Sequence, residues 1–207
     1  MWRLGHRDAP LDFVPRPLCS WRHRWDDPSR EYRTIYCAEA ELTCLREVLA
    51  DLRPNAKAIA ELTALFGDDT PALRGVGEVA GEWREAHLLC PALAVSRHDF
   101  CDLDAEVELR NELEHELILL LVEHEMDHLD ISQVRSRDRI VTQAMSRALY
   151  ERRYAGVRFG SNLDDRPCYA LFEGRAELEP DGEPLELTTE LEPLRRVCDE
   201  FGLRLMA

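Results

Sequence analysis

The apolar residues of this chain fall in short runs, and this distribution limits the possible folds more than any other feature. The longest uninterrupted run has six residues, from Leu117 to Val122, whereas a membrane-spanning helix needs about 20. We therefore expect no membrane partner. The opening residues, Met1–His6, lack the basic and then apolar order of a signal peptide, which favours a cytoplasmic location.

The short runs alternate with charged residues in patterns typical of both strands and helices. Strands are predicted at Thr34–Ala38, Val79–Trp83, Ala86–Val95, Gly156–Ser161 (running into a turn) and Cys168–Phe172. Helices are predicted at Glu39–Leu52, Ala56–Phe66, Ala105–His128, Arg137–Tyr154 and Leu191–Phe201. Residues 1–34 and the acidic segment Glu177–Glu190 are expected to be irregular. Because strands and helices follow no repeating order, the pattern predicts one α+β domain.

The chain is strongly acidic, with 41 acidic residues against 26 basic ones and a formal net charge of −15. A protein that grips nucleic acid by its phosphates needs a basic face, so we expect no nucleic-acid partner. Seven arginines nevertheless crowd the first 33 residues. This local concentration fits either an anion-binding site or a solvated basic face, because arginine presents a fixed fork of donors to phosphate.

The seven cysteines include no C-x-x-C pair. In a chain of this length they are expected to be reduced residues of the core rather than disulfides or zinc ligands.

One pattern typical of zinc hydrolases is present. His124, Glu125 and His128 match H-E-x-x-H, which on a helix places two histidines on one face with a glutamate that can activate water. No clear third ligand follows, and the surrounding residues are unusually acidic. We therefore expect no metal and interpret the segment as a solvated helix end, with a zinc metallohydrolase as the alternative function.

Four other residues stand in characteristic local sequences. Arg24 precedes Trp25, Tyr36 lies in the predicted strand twelve residues later, and Glu47 follows after eleven more in the predicted helix. Ser161 comes directly after the strand residues Gly156–Gly160. A further strand then ends in the sequence Ala-Leu-Phe-Glu at residues 170–173.

In this order and spacing the chain resembles the RES domain family, named for an arginine, a glutamate and a serine. The resemblance covers about residues 1–175. Residues 176–207 are expected to form an acidic segment and a helix packed on the same domain.

The resemblance implies an ADP-ribosyltransferase-like α+β fold, with a mixed sheet at its core and helices around it. It further implies an enzyme that takes NAD as its substrate and cleaves the nicotinamide–ribose bond by hydrolysis or phosphorolysis. Family members are toxins of toxin–antitoxin pairs, so an Xre-like antitoxin is the expected protein partner. A homo-oligomer and a non-catalytic interaction domain of the same fold both stay open.

The four candidate residues suit that chemistry by their types. Arg24 can pair with the diphosphate of NAD, and Tyr36 can stack on or hydrogen-bond to the nicotinamide end. Glu47 can stabilise the positive ribose that forms as nicotinamide leaves, or can orient the acceptor. Ser161 can place its hydroxyl against phosphate or ribose. Each residue taken alone also has an ordinary structural interpretation. Only the four together, in their order along the chain, favour an active site.

Overall fold

An eight-stranded sheet forms the centre of the protein in a computed structural model that describes residues 1–67, 75–129 and 139–207. Its strands are β1 (Trp2–His6), β2 (Thr34–Ala38), β4 (His87–Ser96), β5 (Phe100–Asp102), β6 (Gly156–Gly160), β7 (Pro167–Phe172), β8 (Ala176–Pro180) and β9 (Leu185–Glu186). Two further short strands, β3 (Glu78–Val79) and β10 (Arg204–Leu205), pair with each other.

The strands of the large sheet lie in the order β5-β6-β7-β2-β1-β4-β8, with β9 also beside β4. Neighbouring strands are antiparallel except for β5 and β6, which are parallel. Around the sheet lie helices α1 (Glu41–Leu49), α2 (Ala56–Phe66), α3 (Gly81–Glu85), α4 (Val107–Glu116), α5 (Ile118–Glu123), α6 (Arg139–Glu151) and α7 (Glu192–Phe201). The predicted α+β fold with a mixed sheet is confirmed.

The two faces of the sheet carry cores of different size. In β2, Tyr36 and Ala38 contribute to the larger core, while Ile35 and Cys37 contribute to the smaller one on the opposite face. This alternation follows from the two-residue period of a strand. The larger core lies between the sheet and the helices, so Tyr36 faces the side on which the other candidate residues are found.

Helix α1 lies on the larger core with its apolar stripe inward. Leu45 and Leu49 are fully buried, whereas Glu47 is exposed on the other side of the helix. The 3.6-residue period of an α-helix requires this separation, as the leucine spacing predicted. A 3-10 turn at Ala50–Leu52 then ends the predicted helical segment.

Several predicted elements were wrong or incomplete. The first is β1, which was expected to be irregular. It pairs with β4 from Trp2 to His6 and with β2 at Trp2, and the buried Arg3 guanidinium also donates to the backbone oxygens of Pro10, Tyr36 and Asp12. The strands that pair with β1 are distant in sequence, so no local pattern of residues predicts it.

Other corrections concern segments that were assigned a single element. Val79–Trp83 is not one strand, since β3 ends at Val79 and α3 begins at Gly81. The predicted helix Ala105–His128 is broken at Leu117 and ends at Glu123. The acidic segment Glu177–Glu190 contains β9 and most of β8. The predicted loop Gly67–Gly77 lies largely outside the described residues.

The C-terminal residues are joined to the rest of the fold by strand pairing and by ion pairs. β8 and β9 both pair with β4, and Glu200 of α7 accepts hydrogen bonds from Arg46 of α1. Gly202 ends α7 in the left-handed region at φ 67°, where glycine carries no Cβ penalty. The division of the chain at residue 175 stays a prediction.

Six of the seven cysteines are buried, as expected for residues of the core, whereas Cys19 is half-buried. No helix within the described ranges is long and apolar enough to span a bilayer.

Glu173, at the end of β7, joins the sheet to the N-terminal segment. Its carboxylate accepts from the guanidinium of Arg33 at 2.5 Å, from the Arg33 backbone N–H at 3.0 Å and from Arg16 at 3.1 Å. These hydrogen bonds, that of the Arg33 side chain first, hold the pKa of Glu173 below its ordinary value. The folded state therefore favours the ionised carboxylate.

Glu173→Gln should lower the free energy of unfolding near pH 7 by about 1–2 kcal/mol. Because the folded pKa is lowered, this stabilisation is present above the ordinary carboxyl pKa of about 4.3 and is lost as the pH falls through the folded pKa. Urea unfolding of wild type and variant should thus give a difference in the free energy of unfolding that shrinks below about pH 5. A difference that stays constant down to pH 3 would contradict this assignment.

Candidate active site

Ser161 is the first residue of the turn that links β6 to β7, and it is fully buried. Its backbone N–H donates to the Arg166 oxygen at 2.9 Å, and its backbone oxygen accepts from the Asp165 N–H at 3.0 Å. Its hydroxyl accepts from the Leu163 N–H at 3.1 Å. The turn of residues 161–166, called here the Ser161 turn, is therefore closed by hydrogen bonds on both sides of the serine.

The Ser161 hydroxyl also meets Glu47 of α1. It donates to Oε1 of Glu47 at 2.5 Å across a sequence separation of 114 residues. Hydrogen bonds to a carboxylate are shorter and stronger than neutral ones, so this contact fixes the orientation of the carboxyl group. Glu47 as a whole is exposed, and it therefore combines one anchored oxygen with access from solvent.

Arg24 lies in the loop between the N-terminal segment and β2. Its guanidinium carbon is 5.3 Å from the centroid of the Phe159 ring, a distance at which a cation is attracted to an aromatic face. Trp25 is fully buried beside the same phenylalanine, with ring centroids 5.7 Å apart. Phe159 lies two residues before Ser161, so β6 supports both the serine and the arginine.

The loop that carries Arg24 is fixed to α6 and β2. The Trp25 oxygen accepts from the hydroxyls of Ser146 at 2.7 Å and Thr34 at 3.1 Å. Since Ser146 uses its proton in this bond, Tyr32 is the donor in the 2.8 Å contact between the Tyr32 and Ser146 hydroxyls. These bonds leave the backbone at residue 25 with little freedom.

Tyr36, which lies in β2, holds the same loop through its hydroxyl. Its hydroxyl accepts from the Trp25 N–H at 2.9 Å and donates to Oδ1 of Asp26 at 3.1 Å. Burial, and then the neighbouring Asp26 carboxylate, raise the pKa of Tyr36 well above its ordinary value, so the hydroxyl keeps its proton. The donor and one acceptor position of the hydroxyl are thus occupied, while the side chain stays partly exposed.

Burial and the charge of Glu47 act on Arg24 in opposite directions. Burial of the guanidinium lowers the pKa of Arg24, and the negative charge of Glu47 counteracts this effect. Arginine nevertheless stays charged in proteins. Its Nη1 atom is buried and has no hydrogen-bond partner within the described residues. A buried charged donor without a partner costs free energy, and an anionic ligand would remove that cost.

Arg139 and Asp26 take part in this cluster and were not predicted. Arg139 is the exposed first residue of α6, and its positive charge lowers the pKa of Arg24 and counteracts the rise in the pKa of Tyr36. No motif marks Arg139 among the arginines at positions 135, 137 and 139. Asp26 could have been suspected, because Asp26 and Asp27 follow the Arg-Trp pair and aspartates often close turns.

The four predicted residues are therefore brought to one side of the sheet. Ser161 contacts Glu47 directly, Glu47 acts on Arg24 electrostatically, and Tyr36 binds the backbone of Trp25 next to Arg24. Their predicted roles toward a substrate stay predictions. The arrangement can hold an anion near Arg24 and present an oriented carboxylate beside it.

The H-E-x-x-H segment does not have the geometry of a zinc site. α5 ends at Glu123, and Glu125 has a positive φ of 54°. His124 and His128 are therefore not one turn apart on a helix, which that motif requires. His128 instead lies 3.4 Å from the Glu114 carboxylate.

The protein is thus an α+β domain in which a loop, a helix and a turn on one side of a mixed sheet carry an arginine, a glutamate and a serine. Residues 1–190 match the family model for the RES domain, and the chain belongs to the RES domain family.

One solved structure with a similar fold is the crystal structure of the M. tuberculosis MbcT-MbcA toxin-antitoxin complex. The TM-score is 0.50 and the sequence identity 18%, over 97% of this chain and 86% of that chain. At this identity the likeness concerns the fold alone. No curated protein sequence matches this chain.

Tyr36→Phe should lower the free energy of unfolding by about 1–3 kcal/mol, because it leaves the Trp25 N–H and the Asp26 carboxylate without the shared hydroxyl. Urea denaturation measures this change. Tyr150→Phe is a matched control, since Tyr150 stacks on Tyr32 with centroids 3.9 Å apart and its hydroxyl forms no hydrogen bond within the described ranges. Equal losses in the two variants would show that the Tyr36 hydroxyl is not a tether.

Proposed function

We propose that this protein is an NAD-consuming enzyme that cleaves the nicotinamide–ribose bond and acts as the toxin of a toxin–antitoxin pair. The observation that carries the proposal is the 2.5 Å hydrogen bond between Ser161 and Glu47. It joins the two residues that the resemblance assigns to the glutamate and the serine of the family name, and the charge of Glu47 acts on Arg24, which the resemblance assigns to the arginine.

The residues of the cluster fit the parts of NAD. The unpartnered Nη1 of Arg24 and the exposed Arg139 supply positive charge for the diphosphate. Both hydrogen bonds of the Tyr36 hydroxyl serve the loop, so in this proposal its ring, and not its hydroxyl, contacts nicotinamide. Ser161 is fully buried, and its role in this proposal is to orient Glu47.

The chemistry that follows is dissociative. The bond between the ribose C1′ and the nicotinamide nitrogen breaks, its electron pair goes to the nicotinamide ring, and neutral nicotinamide leaves. Positive charge then develops on the ribose, and the free oxygen of Glu47 stabilises it because the other oxygen is held by Ser161. Water attacks C1′ to give ADP-ribose and a proton, or phosphate attacks to give the ribose 1-phosphate ester. Glu47 can accept the proton of the attacking water.

The toxin role rests on membership of the RES family. Consumption of NAD would deplete a cell of its main redox carrier, so the host would need a protein that blocks the site until release. An Xre-like antitoxin is the proposed partner, and the M. tuberculosis complex shows that a protein of this fold occurs with an antitoxin. Co-expression with the neighbouring gene product and measurement of cell growth would test this part separately.

Glu47→Gln should reduce kcat by roughly 10²–10⁴-fold with little change in the KM for NAD, because the carboxylate acts on charge that develops only in the transition state. Released nicotinamide and the ADP-ribose product, measured by mass spectrometry with and without phosphate, report the reaction. Glu41→Gln on the same helix is the control and should keep wild-type turnover. If Glu47→Gln consumes NAD as fast as wild type, Glu47 is not the catalytic carboxylate.

Arg24→Ala should raise the KM for NAD by roughly 10–100-fold, corresponding to the loss of charge-assisted hydrogen bonds to the diphosphate. Arg22→Ala is the matched control, since Arg22 lies in the same loop but is exposed. Initial rates over a range of NAD concentrations separate KM from kcat. An effect of Arg22→Ala larger than that of Arg24→Ala would transfer the phosphate-binding role to Arg22.

The two alternative functions have distinct outcomes. A non-catalytic interaction domain predicts that wild-type protein leaves NAD intact in both buffers. A zinc metallohydrolase predicts stoichiometric zinc in the purified protein and a loss of zinc in His124→Ala. The proposed function predicts NAD consumption that is unchanged in that variant.

A further inference from the structure

The Ser161 turn is held on α1 by a second contact besides the Ser161–Glu47 bond. Oδ2 of Asp164 accepts from the Thr43 hydroxyl at 2.7 Å and from Nη1 of Arg46 at 2.9 Å. Its other oxygen accepts from the Arg166 N–H at 3.2 Å. The Asp164 carboxylate therefore binds both its own turn and the helix that carries Glu47.

The two contacts of the Ser161 turn lie side by side on α1. Thr43 and Glu47 are four residues apart, which places them on the same helix face one turn from each other. Thr43 binds Asp164, and Glu47 binds Ser161. The turn is thus attached to the helix at two points, and rotation of the turn about either contact alone is prevented.

Helix α7 supports this two-point attachment, called here the clamp: the contacts of Asp164 with Thr43 and Arg46, and of Ser161 with Glu47. The Arg46 side chain, 12% exposed, donates to Asp164 with Nη1 and to Glu200 of α7 with Nε at 3.0 Å and Nη2 at 2.7 Å. Burial raises the pKa of Asp164, but the hydrogen bonds from Thr43, Arg166 and Arg46 outweigh it and keep the pKa below its ordinary value. The carboxylate is therefore ionised at neutral pH.

We propose that Asp164 is a positioning residue for the reaction: through Thr43 and Arg46 it holds the Ser161 turn on α1, so that the Ser161 hydroxyl keeps Glu47 oriented toward the ribose. This role rests on the proposed function. In this proposal Asp164 does not bind NAD itself, since both of its oxygens already accept hydrogen bonds within the protein. Loss of the clamp should affect the orientation of Glu47 and not the binding of the diphosphate at Arg24.

Asp164→Ala should lower kcat for NAD about 10-fold or more with KM nearly unchanged, since small displacements of a catalytic group are costly. Asp164→Asn keeps an acceptor oxygen for Thr43 and should recover part of kcat. Thr43→Val removes one hydrogen bond at nearly constant shape and should show a smaller loss of kcat. This milder variant serves the test if Asp164→Ala does not fold.

Glu173→Gln is the matched control. Like Asp164, Glu173 accepts from an arginine side chain and from a backbone N–H, but it lies at the opposite end of β7. It should lose stability without loss of kcat. If Asp164→Ala keeps kcat within twofold of wild type, or raises KM alone, the positioning role is refuted.

A second measurement does not depend on activity. Hydrogen exchange of the Leu163 and Asp165 amides reports the Ser161 turn, because these groups donate to the Ser161 hydroxyl and carbonyl. Both amides should exchange faster in Asp164→Ala and Thr43→Val than in wild type, and at the wild-type rate in Glu173→Gln. Unchanged exchange in the first two variants would overturn the clamp. Wild-type protein that leaves NAD intact would instead refute the proposed function, while the exchange result would still decide the clamp.

Discussion

The contact between the Ser161 turn and α1 is the interaction on which the whole site depends. α1 packs on the larger core through Leu45 and Leu49, and the turn follows β6, which is separated from β2 by β7. Neither element could bring serine and glutamate together alone. The buried leucines fix the helix, strand pairing fixes the turn, and the 2.5 Å hydrogen bond forms where the two meet. A carboxylate placed by two such elements is oriented before any ligand arrives, which is the preorganisation that electrostatic catalysis requires.

The elements with strong local patterns could be predicted from the sequence. In α1, β2 and β7 the burial of the element is visible in the sequence itself. A helix or strand with one buried face has apolar residues that recur at the period of that element. β1 and β9 could not be predicted in this way. β1 pairs with β4 and β2, and β9 is a two-residue strand that pairs with β4. Their stability comes from distant partners, and no window of sequence contains that information.

The candidate site shows the same division. Residue type and order indicated Arg24, Tyr36, Glu47 and Ser161, but not what each contacts. The exposed position of Glu47 on α1 is ordinary for a glutamate, and only the fold reveals that a buried serine anchors it. Tyr36 was expected to meet the ligand with its ring or its hydroxyl, and the structure shows the hydroxyl engaged by Trp25 and Asp26. Arg139 and Asp164 carry no motif, since their relation to the site arises from tertiary structure alone.

The acidic charge of the protein bears on how the proposed site could attract an anionic ligand. With a net charge of −15, the surface as a whole repels an anionic dinucleotide, and attraction must come from a local source. In the proposed function Arg24 supplies this attraction from a partly buried position, where a charge is less screened by salt than one on the surface. Its burial above Phe159 lowers its pKa without removing its charge, and Glu47 and Arg139 act on it with opposite signs. A diphosphate that reaches this cluster would satisfy Nη1 of Arg24 and reduce the repulsion between the two arginines. The proposed binding of a diphosphate therefore depends on the unpartnered donor of Arg24 and not on the overall charge of the protein.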